Sequence, residues 1–251
     1  HATSKITDTR DLLGVASLGF RGEALASIAS VARVKITSKT EDSLTGACRE
    51  IHGGQLVGEH LLAHPTGTSV EVADLFFNTP ARRKFLKTER TEMARVDLVV
   101  RKVSLAHMDV GFMLEQTSSA ARGKSLQLQP GRINDRLGAV LNNTFVDESV
   151  VVEEQGGDYR LHGWVGLPSH HRRQTDQQFF YVNGRAIKDK LVGHAIRQAY
   201  RDVMFHGRHA VYALFFELPE EMVDVNVHPT KHEVRFRDGR RVHDFIFASL
   251  N

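Results

Sequence analysis

The residues best able to do chemistry stand at Gly19-Phe20-Arg21-Gly22-Glu23-Ala24-Leu25. Two glycines just ahead of a helix-forming run let the backbone approach a ligand and leave free N–H groups at the helix N-terminus. That chemistry holds anions such as phosphates. A plain glycine-rich turn, with Glu23 in the first turn of its helix, uses the same residues, and the spacing alone leaves both readings open. Upstream, Thr3-Ser4-Lys5 adds two hydroxyls and an ammonium, suited to closing over phosphates or to simple exposure. Lys231 follows Val227-His228-Pro229-Thr230. The proline fixes the loop, so the ammonium is held at a strand entrance as a point contact for a terminal phosphate. Between these, Gly67-Thr68-Ser69 opens a strand that runs into Asn78-Thr79-Pro80 and the cations Arg82-Arg83-Lys84. Those cations are a solvated face or a partner for an anion, while Phe76, Phe77, Phe85 and Leu86 are expected in the core.

Other matches fail on spacing. Gly123-Lys124-Ser125 ends like a P-loop, but Ser118 stands where its first glycine belongs. Ser17 and Gly19 suit a nucleophile elbow, but Val15 replaces the leading glycine. His228 and His232 have the spacing of a zinc pair, yet Pro229 breaks the helix such a pair needs, so no metal site is expected. The single cysteine, Cys48, excludes an internal disulfide and a cysteine-built zinc site, and fits a reducing, cytosolic compartment.

The elements that must position these groups are legible as periods. Small residues at 23–32 predict a helix, and Arg33–Ser38 and Ser69–Val72 alternate as strands. Residues 46–62 read as a hairpin around Gly53-Gly54. Residues 89–106 form an amphipathic helix with Met93, Val96, Val100 and Val103 on one stripe. Thr117–Gly131 is polar, rich in small residues and closed by Pro130-Gly131, the best candidate boundary. Beyond it come a short helix at 132–141, strands near 149–154, 159–166, 177–183, 210–218 and 232–237, a long helix near 186–204, and a terminal helix near 240–250. In the long helix Lys190, His194, Arg197 and Arg201 share one face. Val192, Ile196, Ala199 and Val203 lie on the opposite, buried one. Two α/β sandwiches are therefore expected. The 251 residues carry a net charge of only +3 with 41% hydrophobic content, so any nucleic-acid surface must be a local stripe on a folded, non-membrane protein.

Taken in order, the segments resemble the MutL family of DNA mismatch repair proteins. The resemblance rests on H-A-T-S-K-I, S-L-G-F-R-G-E-A-L, G-T-x-V-x-V-x-x-L-F-x-N-T-P-A-R-R-K-F-L, Y-V-N-G-R and V-N-V-H-P-x-K-H-E-V-R-F, and it runs the whole chain. It implies an α/β (α+β) fold: a truncated GHKL ATPase sandwich at 1–128, then a βαβ domain at 131–251 like the transducer of type II topoisomerases. It implies ATP with Mg2+ as cofactor. Thr3, Ser4 and Lys5 match a lid over the nucleotide, Gly19 to Leu25 the phosphate-wrapping loop, and Thr68 the threonine beneath the adenine. Lys231 matches the second-domain lysine at the terminal phosphate, and Lys190, joined on its face by Arg197 and Arg201, a DNA-binding position. The implied partners are DNA bound without sequence reading, the mismatch-recognition protein MutS, a downstream endonuclease and helicase, and a second copy in an ATP-dependent homodimer. The implied location is the bacterial cytoplasm.

One departure matters. The family's first two motifs carry the water-activating Glu, the magnesium-holding Asn and the adenine-reading Asp. No E-x-x-x-N-x-x-D-A or D-x-G-x-G occurs in these residues. His1-Ala2-Thr3-Ser4-Lys5 opens neither with methionine nor with an element start, so a preceding segment is expected. The alternative to an ATPase region is a catalytically inactive DNA- and protein-binding module.

Overall fold

A computed structural model describes residues 23–117, 125–224 and 234–251. Compact units divide between Glu92 and Met93.

The first unit contains α1 (Ala24–Ala29), β1 (Arg33–Lys39), β2 (Gly46–His52), β3 (Gln55–Leu62), β4 (Gly67–Ala73) and α2 (Pro80–Arg83). Its strands form one antiparallel sheet in the order β3-β2-β1-β4. Gly53 and Gly54, both at positive φ, make the two-residue turn between β2 and β3. Ala29, Ala32 and Val34 form a small core under α1. Phe85 and Leu86 are not in it. Both are exposed, Phe85 at 80%, because α2 is a single turn that ends at Arg83 and no described element covers the chain just beyond it. Phe77 is partly exposed and takes the Arg33 guanidinium over its ring, 5.4 Å from the centroid.

The second unit begins within the helix α3 (Glu89–Ala106). It continues with β5 (Phe112–Glu115), β6 (Ser125–Leu128), α4 (Ile133–Val140), α5 (Asn143–Asp147), β7 (Ser149–Gly156), β8 (Tyr159–Gly166) and β9 (His171–Arg172). Then come β10 (Gln178–Val182), β11 (Arg185–Ile187), α6 (Lys190–Ala199), β12 (His209–Ala210), β13 (Tyr212–Glu217), β14 (Val223–Asp224), β15 (Arg235–Phe236) and α7 (Gly239–Leu250). The main sheet runs β11-β10-β13-β8-β7. Within it β10 and β13 are parallel, joined by a crossover that carries α6, and this is the βαβ unit expected from the sequence. Asn183 and Gly184, at φ 47° and 77°, form the tight turn from β10 to β11.

Two apolar layers flank this sheet. On one side Val192, Ala195 and Ile196 of α6 and Val242 and Ile246 of α7 meet Phe180, Leu214 and Phe216. On the other, Leu105, Leu128, Leu137, Val140 and Phe145 meet Phe179, Tyr181 and Ala213. That second layer explains why the division falls ahead of the polar 117–131 stretch. Leu105 at the end of α3 and Leu128 at the end of β6 are buried in one cluster with α4 and α5, so the 129–130 position lies inside a folded unit. Of the stripe expected on α3, Val96 is 46% exposed, and the residues it buries are Ser104 and Leu105. No helix among the described residues is long and apolar enough to cross a membrane.

Candidate functional site

Of the expected phosphate loop, only Glu23, Ala24 and Leu25 lie within the described residues. Thr3, Ser4, Lys5, Gly19, Phe20, Arg21, Gly22 and Lys231 lie outside them. Glu23 is the N-cap of α1 and makes no side-chain capping bond. The Ser27 N–H donates to the Glu23 carbonyl at 2.8 Å, so the amides ahead of it have no acceptor within the helix. Ala24 and Leu25 are exposed. Thr68 is the second residue of β4, and its Oγ1 lies 2.8 Å from the Ser38 Oγ of β1. Its hydroxyl is exposed and free to make a further hydrogen bond.

The cationic face is set by α6. Asp189 starts that helix by accepting from the Leu191 and Val192 amides at 2.8 and 3.2 Å. This cap, after the short strand β11, is why the helix begins at Lys190 and not near 186. Burial of Val192, Ala195 and Ile196 then turns Lys190, His194 and Arg197 outward, and all three are exposed. His194 Nδ1 lies 2.9 Å from His243 Nε2 on α7, a link that ties the two helices. Arg201 lies just past the helix end and pairs with Asp202 at 3.2 Å, with both side chains largely in solvent. Such a pair contributes little, so the guanidinium stays available. Val203 departs from the expected buried side: α6 ends at Ala199 with Tyr200 as its cap, and Val203 is 58% exposed.

Two cations not legible as site residues in the sequence join this surface. Lys102 of α3 and Lys188, between β11 and α6, line a cavity of about 570 Å³ together with Lys190 and Arg197. Lys102 reads from sequence as one polar position of an amphipathic helix, and only the fold brings it to Lys188. In the first unit Arg82, Arg83 and Lys84 are exposed around α2. On its sheet Cys48, Glu50 and His60 bring a thiol, a carboxylate and an imidazole within 4.8 Å of one another. That is one donor short of the closed tetrahedral set of a structural zinc site.

Comparison with known proteins places this geometry. The chain aligns structurally with an Aquifex aeolicus MutL ATPase domain complexed with ADP (TM-score 0.62, 26% identity, 96% of this chain and 80% of that one). It also aligns with the B subunit of Myxococcus xanthus DNA gyrase (TM-score 0.54, 14% identity, 98% and 77%). The fold is thus the mixed α/β fold of GHKL-type ATPase domains together with their C-terminal neighbour domain. Residues 137–251 match the family described as DNA mismatch repair protein, C-terminal domain. Over its whole length the chain is 52% identical to the DNA mismatch repair protein MutL of Chromohalobacter salexigens. The chain belongs to the MutL family of DNA mismatch repair proteins. It spans 39–40% of the length of the curated relatives it matches.

Proposed function

We propose that the chain is the nucleotide- and DNA-binding region of a MutL-type matchmaker, which couples mismatch recognition to downstream repair. The observation that carries this reading is the row of exposed cations on α6, Lys190 and Arg197 with Arg201 just beyond, backed by a buried apolar face. Such a stripe meets backbone phosphates without reading bases.

In this reading the first unit, as far as Glu92, serves ATP, and the second, from Met93, serves DNA and the terminal phosphate. The N-terminus of α1 and the Thr68 hydroxyl fit ATP. Amides from Gly19 to Leu25 hold the phosphates, Thr68 lies under the adenine, Thr3, Ser4 and Lys5 close over them, and Lys231 neutralises the far end. Bound ATP with Mg2+ supplies the phosphoryl group whose hydrolysis resets the closed state. Closure brings two copies together around DNA and presents them to MutS and to a downstream endonuclease and helicase, in the bacterial cytoplasm.

A second reading is favoured by one sequence observation: neither E-x-x-x-N-x-x-D-A nor D-x-G-x-G occurs. On that ground the 251 residues by themselves are a binding module without catalysis. Titration of the purified chain with a nonhydrolysable ATP analogue and with duplex DNA tests both. Binding of both supports the first reading, and binding of DNA alone supports the second. A folded chain that binds neither overturns the proposal.

A further inference from the structure

The cavity of about 570 Å³ in the second unit has an unbalanced charge. Four cations line it: Lys102, Lys188, Lys190 and Arg197. Two carboxylates do so as well, and both are engaged elsewhere. Asp176 accepts from Arg172 Nη2 at 2.7 Å, and Asp189 caps α6. Among the described residues, none of the four cations has an ion-pair partner. Phe179, Phe180, Ile187 and Val192 form apolar wall around them, which weakens solvent screening and strengthens attraction to any anion that enters. Lys102 is half-buried, and burial together with the neighbouring Lys188 charge lowers its hold on its proton. Gathering like charges in a part-buried site is unfavourable unless an anion offsets it.

We propose that this cavity binds the phosphate of a nucleotide unit. Three ammonium groups and one guanidinium fork suit a group with several acceptor oxygens better than a single carboxylate. The volume lies within the range of about 300–1,000 Å³ common to ligand sites, so the attached sugar also fits. The phosphate comes from one of two sources, an internal phosphodiester of DNA lying along α6 or a free or terminal monoester. The site is made of residues 93–251 alone. It shares Lys190 and Arg197 with the proposed DNA-binding face of α6, so the diester source rests on that reading and the monoester source does not.

Calorimetric titration of the purified chain with inorganic phosphate and with dAMP, and salt-dependent binding of duplex lacking terminal phosphates, test it. Lys102→Met and Lys188→Gln are the variants, with folding checked by circular dichroism. Lys188 is exposed, so its variant keeps the test valid should Lys102→Met fail to fold. A monoester source predicts binding of phosphate or dAMP that weakens about tenfold or more in each variant. A diester source predicts no binding of the free anions, but a salt slope for duplex that flattens by about 0.9 per lysine removed. Folded variants that match the parent in both measurements overturn the proposal. Arg201→Glu, outside this cavity, reports separately on the α6 face. If it changes nothing while the cavity variants do, Arg201 leaves the proposed DNA surface and the phosphate site stands.

Discussion

Arg136 Nη2 donates to the Gln129 carbonyl at 2.6 Å, deep inside the second unit. The same guanidinium donates to the carbonyls of Ser104, His107 and Val110 at 2.8, 2.7 and 2.6 Å. One side chain of α4, 1% exposed, therefore ties together the end of α3, the turn before β5 and the chain leaving β6. It also lies over the Phe112 ring, 5.7 Å from its centroid.

Replacing Arg136 by Met leaves four carbonyls without their donor, one in a buried bond at Ser104 and three in part-buried bonds. Each such loss costs about 1–3 kcal/mol. Urea unfolding of Arg136→Met should show a loss of about 3 kcal/mol or more, the sum of two or more such losses. A loss below about 1 kcal/mol would contradict the role given to these bonds.

This staple also shows where sequence reasoning stops. The turn that demands positive φ at Gly53-Gly54 was legible because few residues adopt that backbone. So was α6, whose apolar and cationic residues alternate at helical spacing. The strand β6 was not. Ser125–Leu128 sits in a stretch of small polar residues, and it is a strand because it pairs with β5, a partner no local pattern names. Arg136 reads as an ordinary helix cation, yet its burial depends on carbonyls from three other segments. The candidate site divides the same way. Glycine spacing leaves the proposed phosphate loop and a plain turn both open, and Gly19 to Gly22 lie outside the described residues. Helical period puts Lys190, Arg197 and Arg201 together, but Lys102 joins Lys188 only through the fold.

The α6 face makes a prediction about salt. Replacing Lys190, Arg197 and Arg201 together by Glu should weaken DNA binding about equally for all sequences and flatten the slope of log affinity against log salt by up to about two or three units. Filter binding across a salt series measures this. An unchanged slope in the folded triple variant moves the DNA surface elsewhere, with Arg82, Arg83 and Lys84 the next cations to replace.

Alkaline pH probes the core of the second unit. Burial pushes the Tyr200 hydroxyl, which donates to the Gly166 carbonyl at 2.9 Å, up to about 12. Burial also raises Tyr181 and Tyr212. An unfolded tyrosine ionises near about 10, so above that pH the unfolded chain loses protons first. The stabilisation is fully present below about pH 10 and is lost as pH rises towards about 12. Phenolate absorbance followed alongside circular dichroism should show these tyrosines ionising with unfolding, not before it. Tyr200→Phe should lose about 1 kcal/mol at neutral pH, the worth of one hydrogen bond, and show a shallower alkaline decline. Ionisation of all three in a chain that keeps its native circular dichroism would contradict their burial.

Hydrolysis makes the last test. Attack of water on a terminal phosphate needs an oriented water and stabilisation of the charge that develops on the leaving and transferring oxygens. In the proposed site Lys231 supplies part of the second requirement, and nothing in the 251 residues matches the motifs that supply the first. The purified chain should therefore bind an ATP analogue yet release no phosphate above background. In a longer chain that also carries those two motifs, Lys231→Ala should lower turnover by about 10² or less, since removing one transition-state donor costs about 10²–10³ and part of this contact already exists in the bound ground state. Phosphate release is the measurement in both cases. Magnesium-dependent turnover by the 251 residues, free of contaminating ATPase, would place a water-activating group within them, and unchanged turnover in a well-folded Lys231→Ala would make that lysine an exposed loop residue.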